Sequence, residues 1–112
     1  MRYVLILLLT GCATKLVDID YNQPPASDWP ALKEVVVYVP ELDGRCRGLI
    51  HSGAQGCAVV NFNGKVCVIY LASKDPALLE HERAHCRGYD HAGRVNRANI
   101  AWEHWKAERR AR

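Results

Sequence analysis

Residues Leu78 to His91 read L-L-E-H-E-R-A-H-C-R-G-Y-D-H, and they contain H-E-x-x-H-x-x-G-x-x-H with every specified position filled. On a helix, His81 and His85 lie one turn apart on the same face, where two imidazoles reach one metal ion. Glu82 is turned about 100° from His81, outside that ligand pair but within reach of a water beside the metal. Gly88 takes a left-handed conformation without a Cβ penalty and so stops the helix. The chain then turns back and offers His91 as a third nitrogen. Three protein ligands with one open position is the arrangement of a catalytic zinc, whereas a structural zinc is usually closed by a fourth.

Working outward, Asp75-Pro76 is a helix start, with Asp75 as N-cap and Pro76 at the first helical position. The spacing predicts an active-site helix over about 76–88, with Leu79 and Cys86 sharing a core-facing stripe. Before it, Cys57–Phe62 and Lys65–Leu71 flank Asn63-Gly64, a strong signal for a hairpin over 57–71 with a two-residue turn. That register sets Phe62 opposite Lys65, Val60 opposite Cys67 and Ala58 opposite Ile69. Strand alternation then places Cys67 on a face with Ala58, Val60, Phe62 and Ile69, and Cys57 on the other face opposite Tyr70. Earlier still, Glu34–Val39 (E-V-V-V-Y-V) is a β-branched strand closed by Pro40. Glu41–Gly56 is glycine-rich and reads as a long loop on the rim of the cleft, with Arg45 and Arg47 as solvated charges or contacts for an acidic substrate. After the motif, Val95, Ala98, Trp102 and Trp105 recur at helical spacing, predicting a C-terminal helix over about 94–110 whose tryptophans pack in the core. The expected fold is α+β: a small antiparallel sheet (strand 34–39, hairpin 57–71) packed on the two helices.

A domain of some 80 residues has a small core and needs staples. Cys46, Cys57, Cys67 and Cys86 form no C-x-x-C pair, so two disulfides are expected in an oxidising compartment. Cysteines pointing away from each other across a hairpin do not bond, which disfavours Cys57–Cys67. Cys86 faces the sheet side that bears Cys67, favouring Cys67–Cys86 with Cys46–Cys57; four free core thiols are the alternative.

The 78–91 stretch resembles the zinc-binding signature of the zincin metallopeptidases, and more narrowly that of the metzincins. Carried over by position, the resemblance implies His81, His85 and His91 as zinc ligands, Glu82 as general base and Gly88 as the turn residue. It covers eleven residues of the 112, and the metzincin methionine turn has no counterpart, since the only methionine is Met1. If His91 points away, Asp90 or Glu103 is the next candidate ligand, Glu103 by analogy with the gluzincin branch; Asp90 is alternatively a group that orients a ligand. Tyr89 or Arg87 is the candidate oxyanion partner. The strand closed by Leu71 is a candidate edge for pairing with an extended peptide, as zincins are known to do.

At the N-terminus, Met1-Arg2-Tyr3 and the apolar run Val4–Leu9 precede Leu9-Thr10-Gly11-Cys12, which resembles a bacterial lipobox. The expectation is a signal peptide over 1–11, lipidation of Cys12, a proline-rich tether over 12–30 and a zincin-like domain over 31–112. The resemblance to Gram-negative lipoproteins implies the outer membrane, since Ala13 rather than Asp follows the cysteine. Without Arg2 the chain has 14 basic and 12 acidic side chains, too small an excess to argue for nucleic acid. The expected protein is a monomeric, lipid-anchored zinc metallopeptidase of the cell envelope acting on a peptide or protein. Its rivals are a metal-binding lipoprotein without turnover and a disulfide-stapled envelope lipoprotein acting by protein contact.

Overall fold

The computed structural model describes residues 17–40, 42, 46 and 55–111. Cys12 with its lipobox, Arg45 and Arg47 lie outside the described residues. Three strands, β1 (Lys33–Tyr38), β2 (Gly56–Asn61) and β3 (Val66–Leu71), are followed by helices α1 (Pro76–Cys86) and α2 (Arg97–Arg110). The fold is α+β, and β3 is the middle strand of the sheet, in the order β1-β3-β2.

The β2–β3 pair is antiparallel in the expected register, with Ala58 opposite Ile69 and Val60 opposite Cys67. Its turn is longer than two residues. Gly64 N–H donates to Asn61 Oδ1 at 2.9 Å, Lys65 N–H donates to Phe62 O at 3.3 Å, and the left-handed residue is Lys65, at φ 56°. Tertiary contacts account for this: Trp105 Nε1 donates to Asn63 Oδ1 at 3.2 Å and Arg109 reaches the same oxygen, so α2 holds the turn open.

The sheet is mixed rather than wholly antiparallel, because β1 pairs in parallel with β3, from Lys33 beside Val66 to Tyr38 beside Leu71. A tight turn dictates orientation only for the two strands it joins. The connection from residue 39 to 55 is long enough to place β2 on the far edge and leave β1 running either way. Bonds from Lys33 N to Lys65 O (2.9 Å) and from Val39 N to Leu71 O (2.8 Å) continue the parallel ladder past the start of β3 and the end of β1. With both its edges paired, β3 is closed to an incoming peptide, so the strand ending at Leu71 cannot act by edge pairing.

Alternation along β3 divides the interior in two. Cys67, Ile69 and Leu71 face α1 and pack with Leu78 and Cys86, joined by Ala58, Val60 and Leu79. The opposite face carries Val39, Leu42, Cys46 and Cys57, with Val59 and Tyr70 beside them. Each layer has one disulfide. Cys67–Cys86 ties the last residue of α1 to β3 with 5.7 Å between Cα atoms, and Cys46–Cys57 pins the long connection at 6.0 Å. Two such bonds place the chain in an oxidising, non-cytoplasmic environment. Among the described residues no helix is long and apolar enough to cross a membrane.

From Val17 onward, the stretch expected to be a tether is part of the folded unit. Trp29 Nε1 donates to Cys86 O at 3.1 Å, and its ring meets Phe62 and Trp102 edge-on or tilted. Asp28 accepts from Trp102 Nε1 at 3.0 Å and pairs with Lys106, while Ala26 N–H donates to Asn99 Oδ1 at 2.8 Å. Proline-rich composition resembles that of a linker, but here Pro24 O accepts from Asn99 Nδ2 of α2 at 3.2 Å and Pro25 lies against Gly88. The C-terminal helix also starts later than expected: Asn96 is its N-cap, accepting from Asn99 N at 3.0 Å, and Val95 lies before it, 65% exposed. Trp102 is buried as its spacing predicts.

Candidate metal centre

Asp75 caps α1 by accepting from Ala77 N at 2.9 Å. The other end closes through a pair of backbone bonds characteristic of a Schellman stop: Gly88 N–H to His85 O at 3.1 Å and Tyr89 N–H to Ala84 O at 3.0 Å. Gly88 sits at φ +92°, and a Cβ there would lie 2.6 Å from Pro25 Cβ and 2.8 Å from Trp29 Cδ2. Glycine is therefore required twice, for the backbone angle and for the close approach of the N-terminal segment.

This reversal carries His91 back to the helix. Its Nε2 lies 3.1 Å from His81 Nε2 and 3.1 Å from His85 Nε2, and the ligand atoms of the three all fall within 4.8 Å of one another. Tetrahedral coordination with metal–nitrogen bonds near 2.0–2.1 Å requires nitrogen–nitrogen spacings of about 3.3–3.4 Å, so the triad is close to the size a metal ion needs. His85 Nδ1 is 3.1 Å from the Tyr89 carbonyl. Because a carbonyl only accepts, that contact places the His85 proton on Nδ1 and leaves the Nε2 lone pair pointing into the triad. Burial, reinforced by the neighbouring imidazoles, lowers the His81 pKa to about 4. Burial likewise lowers His85 and His91. At neutral pH the cluster consists of neutral nitrogen donors, the form that binds metal. The donor set suits a metal ion held by three histidines.

Glu82 is 4% exposed, and burial pushes its carboxyl up to about 7. The alternative third ligands are committed elsewhere. Asp90 accepts from His91 N–H at 2.7 Å, Arg94 Nη2 at 2.6 Å and Arg97 N–H at 2.8 Å. Burial pushes this carboxyl up, but the three donors outweigh it and hold it at about 2. Glu103 lies on the exposed side of α2, 3.1 Å from Lys106 Nζ. Arg87, a candidate oxyanion partner, instead joins Arg83 on Glu34 of β1, at 3.3 and 3.0 Å. Tyr89 packs its ring on Tyr21, with centroids 5.1 Å apart. His104 is a surface residue beside Glu108.

Beside the triad runs an open groove of about 420 Å³, walled by Val17–Ile19 and Tyr21 on one side and Ala77, Glu80 and His81 of α1 on the other. Ile19 forms a β-bridge with His91. Residues 17–21 were absent from the sequence-derived site, because no motif in them points to a partner some 70 positions away.

No protein family, curated protein or solved structure matches this chain.

Proposed function

We propose that the chain is a zinc-dependent hydrolase of peptide bonds, built on a zincin-like site and held at the cell envelope by lipid on Cys12. The observation that carries this reading is the convergence of three neutral imidazole nitrogens, with His91 Nε2 at 3.1 Å from both partners. His81, His85 and His91 would hold the ion. Zinc bound there supplies a Lewis acid that polarises a carbonyl and acidifies water. Glu82 acts as general base: with its pKa raised to about 7 by burial, it accepts a proton from the attacking water and returns it to the leaving amine. The open groove beside His81 is the face on which an extended peptide would approach. The two disulfides support passage through an oxidising compartment, consistent with a lipobox at Cys12.

The test is metal analysis of the purified protein, followed by a peptide-library cleavage assay of wild type and Glu82→Gln. One zinc per chain in both, with cleavage abolished by the substitution, is the expected result. Undiminished cleavage by Glu82→Gln would remove the general-base role. The internal position of β3 favours one second reading, a metal-binding lipoprotein without turnover, for which zinc is stoichiometric and neither protein cleaves any peptide.

A further inference from the structure

His91 is the ligand contributed from outside α1, and its position depends on two elements that meet around it. On one side, Ile19 bridges His91 in antiparallel sense, with Asp20 N–H donating to Asp90 O at 2.9 Å and Ala92 N–H to Asp18 O at 2.8 Å. Gln23 Nε2 locks this segment down, donating to Asp20 Oδ2 and to Arg94 O, each at 3.0 Å. On the other side is the Asp90 carboxylate, 5% exposed. One of its oxygens takes the His91 N–H and Arg94 Nη2, and the other takes Arg97 N–H at the first turn of α2. The backbone of residue 91 is thus held between a β-bridge to the N-terminal segment and a carboxylate anchored to α2.

We propose that Asp90 is the positioning residue for the third metal ligand, fixing His91 against the Asp18–Asp20 segment so that its Nε2 meets those of α1. It acts on the metal through His91 and does not itself coordinate. This role rests on the metal-site reading above. An asparagine at 90 has a single acceptor oxygen and turns an NH₂ group towards at least one of the three donors that the carboxylate now satisfies. The His91 backbone then loses its fixed relation to α1 while the rest of the core is untouched.

The experiment compares full-length wild type, Asp90→Asn and, as a destabilised control in the opposite core layer, Val39→Ala. Three measurements are made: zinc affinity by chelator competition, the visible spectrum of the Co²⁺-loaded proteins, and amide hydrogen exchange of the metal-free proteins. Asp90→Asn is expected to bind zinc about 10–100-fold more weakly, the range typical when a group orienting a ligand is lost, and to weaken the tetrahedral cobalt bands. Its His91, Ala92 and Asp20 amides should exchange faster. Val39→Ala should keep wild-type affinity and spectrum. Wild-type affinity in Asp90→Asn, or an equal loss in Val39→Ala, overturns the assignment. If wild type itself holds no zinc, the hydrolase reading fails on its own. The exchange data still judge Asp90, because unchanged protection at His91 in Asp90→Asn refutes the positioning role.

Discussion

Replacing Gly88 by alanine tests the reversal at the end of α1 and the docking of the N-terminal segment together, and Gly93 separates the two. Both glycines have positive φ, +92° at Gly88 and +88° at Gly93. A Cβ at Gly93 has no neighbour within 4 Å, whereas one at Gly88 falls 2.6 Å from Pro25 Cβ and 2.8 Å from Trp29 Cδ2. Gly93→Ala therefore reports the left-handed strain alone, about 1–2 kcal/mol. Gly88→Ala carries the same strain plus overpacking of about 1–3 kcal/mol, for a total of about 2–5 kcal/mol. Relief requires Trp29 to move, which breaks its 3.1 Å bond to the Cys86 carbonyl and loosens its contacts with Phe62 and Trp102. Urea unfolding followed by tryptophan fluorescence measures both variants under oxidising, metal-free conditions. The expected order of midpoints is wild type, Gly93→Ala, then Gly88→Ala, with the two steps of comparable size. Equal midpoints for the two variants would refute the reasoning, since Pro25 and Trp29 could not then be seated on Gly88.

Three further outcomes follow from the same geometry. Replacing Cys67 and Cys86 together by alanine opens a crosslink spanning 19 positions; chain entropy alone puts the loss at about 3 kcal/mol, and zinc affinity should fall with it because His85 adjoins the lost anchor. In metal-free protein, His81, with its pKa lowered from 6.5 to about 4, and the likewise lowered His85 and His91 bind more protons unfolded than folded. The stability they give is full above pH 6.5 and is lost as the pH falls below it, which unfolding midpoints between pH 7 and 5 will check. Glu82 has the opposite sign: with its pKa raised from 4.5 to about 7, it favours the fold below pH 4.5 and loses that contribution as the pH rises to 7. Glu82→Gln should accordingly gain on wild type across that window, by an upper bound on the order of 3 kcal/mol, and parallel stability curves would contradict the burial assigned to this carboxyl.

What was legible in the sequence is local or nearly so. The spacing of His81, His85, Gly88 and His91 spans eleven positions, and helix periodicity with one left-handed glycine identifies the three rings that converge. The disulfide pairing followed from strand alternation in the observed register, which puts Cys57 and Cys67 on opposite faces, together with the helix face that turns Cys86 towards Cys67. The turn itself did not follow local propensity: Asn-Gly favours a two-residue loop, but Trp105 and Arg109 of α2 hold Asn63 and the left-handed residue becomes Lys65. The parallel pairing of β1 was illegible for a related reason, as no short turn connects it to β3.

The largest departure, the docking of residues 17–30, has consequences for the site. Segments rich in proline and polar residues have no periodicity to reveal a buried face, and the contacts of Asp28 and Ala26 are made to side chains more than 70 positions later. Those contacts hold the same segment whose Asp18–Asp20 portion bridges the backbone around His91. The helix alone supplies two imidazoles, which form an incomplete metal site in any exposed H-x-x-x-H pair. The third is brought into range by backbone bonds to a stretch that composition alone would leave outside the domain. Assembly of the metal centre is thus coupled to the folding of the whole chain from Val17 onward, so substitutions far from the motif, such as at Gln23 or Asp28, act on the site only as far as they release that segment.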